Sequence, residues 1–153
     1  MHGAERRTVA TELTFSRGAT MQADDRGRAV ILIAERDLTV RELQLFFLNK
    51  AGFAVAFADD GQCALDRVRL DPPALLITEI LIPKIDGLTL CRLVRNDAAR
   101  GGVPVIVFSI LAAAARANDA GASAFLRKPL VESTFLAAIN GVMMNANAVM
   151  EAR

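Results

Sequence analysis

Five short apolar runs alternate with amphipathic segments along this chain, and this alternation limits the available folds more than any other feature. The runs are AVILIA (29–34), FAVAFA (53–58), ALLIT (74–78), VPVIVFS (103–109) and SAFLR (123–127). Short apolar runs of this kind are typical of strands buried on both faces. Such a sheet needs helices on both sides, so the gaps between the runs decide the fold class.

Helical segments fill these gaps. The first segment ends near Gly52, a residue common at helix ends. Its apolar stripe is predicted at Val40, Leu43, Phe47 and Ala51. The last segment has the clearest stripe, at Phe135, Ala138, Ile139, Val142 and Met143. Strict alternation of strand and helix predicts an α/β fold with a doubly wound, five-stranded parallel sheet and right-handed crossovers.

The chain divides into one domain and two short ends. Its 153 residues are the size of one ordinary domain. Residues 1–28 mix charges of both signs with Gly, Ser and Thr, so we expect a flexible N-terminal extension there, and Met21 is an alternative to Met1 as the start of translation. The domain is predicted at 29–147, followed by a tail at 148–153.

The composition of the chain limits the cellular location and the classes of partner that we expect for the protein. No stretch approaches the roughly 18 uninterrupted apolar residues of a membrane span, and no signal peptide is evident, so we expect a cytoplasmic protein without a membrane partner. The formal net charge of +1 gives no general affinity for nucleic acid. Cys63 and Cys91 lack CxxC or Cys/His metal spacing, which predicts two reduced thiols without a zinc or redox role.

Side chains suited to chemistry follow the predicted strands at their carboxyl ends. They are Glu35, Arg36 and Asp37 after the first strand, Glu79 after the third, Ser109 at the end of the fourth and Lys128 after the fifth. In a parallel sheet these strand ends form one edge, and ligands bind where the strand order reverses. The pattern favours a site at this edge, although charges that only solvate the strand ends remain an alternative on spacing alone.

Four motifs in this order resemble the receiver domain of two-component response regulators. They are ILIAERD (31–37), LLITEILIPKIDGLTL (75–90), VPVIVFS (103–109) and GASAFLRKPL (121–130). The resemblance runs from about Ala29 to Val142. It implies a flavodoxin-like (βα)5 fold with strand order 2-1-3-4-5.

The resemblance also implies a role for each residue at the sheet edge. In this family a histidine kinase transfers a phosphoryl group to an aspartate, two acids hold magnesium, and a hydroxyl and a lysine contact the phosphoryl group. The hydroxyl corresponds to Ser109 and the lysine to Lys128, and a switch aromatic on the fifth strand corresponds to Phe125. Glu35 takes the first acidic position. Two positions depart from the family: Arg36 is the second acidic position, and Glu79 is the phosphoacceptor position.

Both departures weaken the predicted chemistry. In this chain the formal charges at the site sum to zero, from two acids and two bases: Glu35, Glu79, Arg36 and Lys128. The family arrangement of three acids and one lysine would instead leave two negative charges. Magnesium depends on carboxylate oxygens, so we expect weak or absent magnesium binding and no other cofactor. Glutamate is one methylene longer than aspartate, and a misplacement of about 1 Å can cost about two orders of magnitude in rate. We therefore expect neither phosphorylation of Glu79 nor enzymatic activity.

Two roles for Glu79 stay open. In the first, Glu79 pairs with Lys128 and holds Ser109 in an active-like arrangement. In the second, Arg36 captures Glu79 in a two-pronged ion pair that locks the site. The planar guanidinium slightly favours the second role, and the two can coexist.

The partner surface is also expected to differ from the family. Gly121 follows Ser109 by twelve positions, fewer than the resemblance implies, so the fourth helix or its leading loop is shortened. In the family the fourth helix, fifth strand and fifth helix form the surface for dimers and targets. We expect a monomer or a homodimer through this face, and a protein partner such as a histidine kinase, another regulator or a signalling protein.

These observations predict a stand-alone degenerate receiver, a phosphorylation-independent interaction module of bacterial signal transduction. The absence of a basic recognition helix argues against a nucleic acid partner. One alternative is a phosphorylatable single-domain response regulator that uses Asp37 or Asp86. A second is a small-molecule sensor at the strand-end crevice, which no glycine-rich phosphate loop supports.

Overall fold

The structure, a computed structural model, describes residues 11–14 and 20–152, with side chains for 22–146. Its strands are β1 (Thr11–Thr14), β2 (Thr20–Ala23), β3 (Val30–Ala34), β4 (Ala54–Ala58), β5 (Leu75–Thr78), β6 (Val105–Ser109) and β7 (Ala124–Arg127). Its helices are α1 (Leu38–Lys50), α2 (Gly61–Leu70), α3 (Gly87–Asn96), α4 (Ala114–Asp119) and α5 (Glu132–Ala152). Strands β3 to β7 correspond to the five predicted strands.

Strands β3 to β7 form one parallel sheet in the order β4-β3-β5-β6-β7. This confirms the predicted fold and the order 2-1-3-4-5. The chain leaves β3 toward β4 and then returns to the other side at β5. The strand order therefore reverses between β3 and β5, which places their carboxyl ends beside each other.

The core consists of one apolar cluster on each face of the sheet. Leu32, Leu76 and Val107 point toward α2, α3 and α4, whereas neighbouring residues such as Ile31 and Ile77 point toward α1 and α5. Every residue of β3, β5 and β6 is buried, which confirms burial on both faces for the three central strands. The outer strands β4 and β7 are mostly half-buried because each has a neighbour on one side only.

Helix α1 differs from its predicted apolar stripe. The helix ends at Lys50, and Gly52 has a φ of 95°, as expected for a helix end. Leu43, however, is 43% exposed, whereas Gln44 is fully buried. Gln44 lies one turn before the buried Leu48, so helical geometry places both on the face that packs inward. The stripe prediction is confirmed at Val40 and Phe47, which pack against the core, and was wrong at the exposed Leu43 and Ala51, because it assumed that the inward face carries only apolar residues.

The ends of the chain also differ from the prediction. Strands β1 and β2 pair in antiparallel orientation within the segment expected to be a flexible extension, and residues 1–10 and 15–19 lie outside the described residues. The Gln22 amide donates to the Pro72 carbonyl at 2.7 Å, and the buried Asp24 carboxylate accepts the Arg28 amide at 2.7 Å. Helix α5 continues to Ala152, so most of the predicted tail is helical.

Helix α4 is only six residues long, in agreement with the shortened segment predicted after Ser109. Within the described residues, none of the helices combines the length and the apolar character needed to cross a membrane.

Replacement of Gln44 tests the packing of α1. Neither the Gln44 side-chain nitrogen nor its oxygen has a hydrogen-bond partner, although both are buried. Because an unsatisfied buried polar group costs about 1–3 kcal/mol, Gln44→Met, which keeps the length of the side chain, should raise the free energy of unfolding by about 1–2 kcal/mol. Urea unfolding measures this difference. Gln62→Met is the control on the exposed face of α2, where Gln62 donates to Asp66. A less stable Gln44→Met variant would show that the amide is satisfied.

Candidate functional site: a charged cluster at the sheet edge

Backbone hydrogen bonds bring the predicted site residues together at the carboxyl ends of the strands. The Glu79 amide donates to the Ala34 carbonyl at 3.0 Å, which extends the pairing of β3 with β5 by one step. The Lys128 amide donates to the Ser109 carbonyl at 2.9 Å, which does the same for β6 and β7. The side chains of four residues meet there, and we call them the charged cluster: Glu35, Glu79, Ser109 and Lys128.

The Lys128 ammonium lies between two buried carboxylates. Its Nζ is 3.0 Å from Glu35 Oε1 and 3.0 Å from Glu79 Oε2. It also lies 5.6 Å from the centre of the Phe108 ring, which favours a cation over the ring face. Both acids are almost fully buried, with Glu79 6% exposed. Two buried negative charges thus share one positive charge.

The remaining carboxylate oxygens bind donors from nearby segments. Glu79 Oε1 accepts the Ser109 hydroxyl and the backbone amides of Ile80 at 2.6 Å and Leu81 at 3.2 Å. Glu35 Oε2 accepts the Asp37 amide at 3.0 Å. The Glu79 side chain therefore folds back over the residues that follow it, and this bend takes up the methylene by which it exceeds aspartate.

A glycine allows the loop after β5 to close tightly behind Glu79. A Cβ at Gly87 would overlap the Glu79 carbonyl oxygen, and the Gly87 amide donates to the Ile80 carbonyl at 2.9 Å. The first turn of α3 therefore packs against the backbone that carries the Glu79 side chain. This contact requires the absence of a side chain at Gly87.

Arg36 lies outside the charged cluster. Its side chain is exposed, and it forms no hydrogen bond or ion pair with any residue that the structure describes. The Arg36–Glu79 ion pair considered from the sequence is thus not present. The predicted cancellation of charges also needs correction, because two acids and Lys128 alone give the cluster a formal charge of minus one.

The contacts keep Glu79 and Lys128 ionised. Burial raises the pKa of Glu79, but hydrogen bonds from Ser109, Lys128 and Leu81 outweigh it and hold the pKa below its ordinary value. Burial lowers the pKa of Lys128, but the hydrogen bonds and negative charges of Glu35 and Glu79 raise it above its ordinary value. At neutral pH, Glu79 is therefore a carboxylate and Lys128 an ammonium.

Asp37 and Asp86 cap helices. Asp37 Oδ1 accepts the amides of Thr39 at 2.9 Å and Val40 at 3.2 Å at the start of α1. Asp86 Oδ1 accepts the amides of Leu88 at 2.9 Å and Thr89 at 3.0 Å at the start of α3. These bonds satisfy amides that a helix start leaves unpaired, and they give each carboxylate a structural role.

Sequence reasoning missed Arg41. Its guanidinium donates to the Glu35 carbonyl, to the Ala58 carbonyl at 3.2 Å and to Asp59 Oδ1 at 2.6 Å. Arg41 therefore joins the ends of β3 and β4 behind the cluster. Its position one helical turn after the helix cap at Asp37 is the sequence feature that points to it. The amides of the loop after β5 were also missed, because every residue except proline carries one.

The predicted switch residue Phe125 is half-buried on β7, where it packs against the core cluster under α3 and α4. Ser109 Oγ also accepts the Leu111 amide at 3.2 Å. The Ser109 hydroxyl therefore connects Glu79 to the short loop that leads into α4.

Comparison with known proteins identifies the family. Residues 31–140 match the family model described as the response regulator receiver domain, which is more than half of the chain. The chain belongs to the response regulator receiver family. Receiver domains are signalling modules of two-component systems, in agreement with the predicted family.

The relatives of this receiver domain include longer proteins. It is 32% identical over 121 residues to the transcriptional regulatory protein CseB of Streptomyces coelicolor, covering 74% of this chain and 48% of CseB. It is 31% identical over 116 residues to the response regulator MprA of Mycobacterium avium, covering 74% of this chain and 50% of MprA. The chain thus spans about half the length of these relatives. Because CseB is a transcriptional regulatory protein, the predicted exclusion of nucleic acid is not supported for the whole protein.

The fold also matches solved receiver structures. A putative response regulator from Chloroflexus aurantiacus is 29% identical and superposes with a TM-score of 0.73, covering 76% of this chain and 98% of the other.

The side chains at this edge do not fit the magnesium ion that the family resemblance implies. All four carboxylate oxygens of Glu35 and Glu79 already bind donors, and the Lys128 ammonium stands between the two acids. Among the side chains that the structure describes, no group of three or more His, Cys, Asp or Glu is placed to hold a metal ion. The ammonium of Lys128 is the cation that pairs with both acids.

The charge of Glu79 should make stability depend on pH. Glu79→Gln should lower the free energy of unfolding by about 1–3 kcal/mol at pH 7, because it weakens charge-assisted hydrogen bonds in a buried site. Since folding lowers the pKa of Glu79, this contribution is present above the ordinary value of 4.5 and is lost as the pH falls through the folded value. The two proteins should therefore converge in acid.

Urea unfolding at pH 7 and in acid measures this effect. Asp59→Asn is a control, because it removes the exposed end of the Arg41–Asp59 pair and should change stability little at either pH. An equal loss for Glu79→Gln at both pH values would contradict the role of the Glu79 charge.

Proposed function

We propose that this chain is a degenerate receiver domain that acts as a phosphorylation-independent protein interaction module in bacterial signal transduction. One observation carries the proposal. At the position that the family resemblance assigns to the phosphoacceptor, the Glu79 carboxylate binds the Ser109 hydroxyl and the Lys128 ammonium. These are the groups that the resemblance assigns to the phosphoryl group, so Glu79 itself takes the contacts that phosphorylation would otherwise create.

The environment of Glu79 argues against its use as a nucleophile. Three donors bind Oε1 and Lys128 binds Oε2, so attack on a phosphoryl donor would require the loss of contacts in a buried site. Phosphoryl transfer depends on accurate placement of the reacting oxygens and on charge stabilisation. The donors that bind both Glu79 oxygens would compete with the metal that supplies that stabilisation, which supports the expected loss of magnesium binding.

The contacts favour an active-like role for Glu79 over a lock formed by Arg36. Ser109 donates to Glu79 and accepts the Leu111 amide, so the carboxylate holds the loop before α4 through one hydroxyl. The likeness to a phosphoryl group is incomplete, because that group carries a charge of about minus 1.5 to minus 2 and three acceptor oxygens. The proposed state is therefore fixed by the side chain, with fewer contacts than a phosphorylated aspartate makes.

The two alternatives from the sequence gain no support from the geometry. Asp37 and Asp86 cap helices, and neither carboxylate contacts Lys128 or Ser109. A small-molecule sensor would need an open crevice where the charged cluster lies. We retain a protein as the proposed partner of this domain and a cytoplasmic location as the expected one. Nucleic acid stays a candidate for the whole protein because of its transcriptional relatives.

A titration with magnesium and beryllofluoride, a phosphoryl mimic, tests the proposal. Amide NMR spectra of the wild type should stay unchanged, because the carboxylates already bind Lys128 and backbone donors. Shifts clustered near Glu79, Ser109 and Lys128 would overturn the proposal. The double variant Arg36→Asp with Glu79→Asp is the matched comparison, since it replaces both residues that depart from the family with aspartate. Its amides should shift on addition of magnesium.

A second experiment tests whether Glu79 holds the loop before α4. In Glu79→Ala, Ser109 loses its acceptor, so the Leu111 amide should exchange with solvent faster, by about tenfold if roughly 1.4 kcal/mol of restraint is lost. The Phe125 ring resonances should also shift. Asp66→Ala is a control on the exposed side of α2. An unchanged Leu111 amide in Glu79→Ala would show that the loop is held independently of Glu79.

A further inference from the structure

Helix α1 presents large apolar side chains on the side that faces away from the sheet. Phe46 is 58% exposed and Leu43 is 43% exposed, although the adjacent Gln44 is fully buried. The helix therefore places an amide inside and two large apolar groups outside. We call the exposed surface formed by Glu42, Leu43, Phe46 and Lys50 the α1 outer face.

The exposed Phe46 ring is held in place by its neighbours. Its centre lies 5.8 Å from that of the Phe47 ring in an edge-to-face arrangement, and the Lys50 ammonium lies 5.3 Å from its centre. Such contacts restrict an aromatic side chain and leave less entropy to lose on association. The α1 outer face thus offers an ordered aromatic group to a partner.

The charges on this face are arranged symmetrically about Phe46. Glu42 lies four residues before Phe46 and Lys50 four residues after it, so the two charges flank the ring one helical turn away on either side. If two copies of α1 cross in antiparallel orientation at Phe46, Glu42 of each copy faces Lys50 of the other. Lys50 also pairs with Glu132 at 3.1 Å, and an ammonium has three donors, so both pairings can form together.

From this symmetry we propose that a second copy of this chain docks on the α1 outer face, with the two helices antiparallel about a twofold axis at Phe46. A twofold interface joins the same patch on both copies, which requires a patch that complements itself. An acid and a base at equal distances from an aromatic ring meet this requirement. A uniformly acidic or basic partner would leave one of the two charges facing a like charge.

The size of the face sets the strength of this association. Two large apolar side chains and two charges per copy cover less than the roughly 800 Å² per partner of a standard stable interface. The dimer is therefore weak and forms only at high protein concentration. This interface differs from the face of α4, β7 and α5 expected from the family resemblance, and it does not depend on the proposed role of Glu79.

Sedimentation velocity across a wide range of protein concentrations tests this dimer. The wild type should shift from monomer to dimer as the concentration rises. Phe46→Asp should remain monomeric, because it removes the central ring and places two like charges at the axis. Leu70→Asp is the matched control, since it changes another exposed apolar residue, at the end of α2, and should dimerise like the wild type.

Charge reversal tests the twofold arrangement itself. Glu42→Lys should raise the dimer dissociation constant by about tenfold or more, because it sets lysines against each other twice. Lys50→Glu should weaken the dimer in the same way, and an equal mixture of the two variants should restore association through a complementary heterodimer. Circular dichroism verifies that each variant is folded.

Three results would overturn the proposal. The first is a wild type that stays monomeric at every concentration. The second is a dimer that Phe46→Asp and Glu42→Lys leave intact and that Arg116→Glu on α4 abolishes, which would assign the dimer to the face of α4, β7 and α5. The third is a mixture of charge variants that associates no better than either variant alone.

Discussion

The contact of the Lys128 ammonium with two buried carboxylates is the constraint on which the site depends. Burial of an ion costs several kcal/mol even after the protein relaxes, and an attraction of good geometry must offset it. Glu35 and Glu79 meet that condition because Lys128 Nζ lies 3.0 Å from an oxygen of each. Since the three residues follow three different strands, this contact forms only when the sheet has its observed order.

Backbone amides of the neighbouring loops also bind the two carboxylates. Glu79 Oε1 accepts amides of the two residues that follow it, and Glu35 Oε2 accepts the Asp37 amide. Donors of this kind are fixed by the path of the chain and lose little entropy when they bind. The acids thus orient the loop after β5 and the start of α1, and the Leu81 amide of the first of these loops in turn helps to keep Glu79 ionised.

Much of the fold could be predicted because each strand of the parallel sheet can be recognised from its own sequence. The run VILIA carries no polar residue, and VIVFS carries only Ser109 at its end, so the burial of these strands follows from local composition. The face of α1 that packs inward could not be predicted in the same way, because the buried Gln44 interrupts the apolar pattern. The hairpin of β1 and β2 was missed for another reason. Its contact with the Pro72 carbonyl uses backbone atoms far apart in sequence.

The site, like the fold, could be predicted only in part. The position of each residue at a strand end predicted which residues meet at the sheet edge. The direction of the side chains could not be predicted, and Arg36 is exposed although the neighbouring Glu35 is buried. The fold-back of Glu79 has a further consequence. Its Oε1 is anchored by β6 and by the loop that Glu79 itself precedes, and Lys128 binds only the other oxygen. Oε1 therefore fixes the path of the loop after β5, whereas Oε2 holds the residue that follows β7, so a single carboxylate positions two separate segments of the sheet edge.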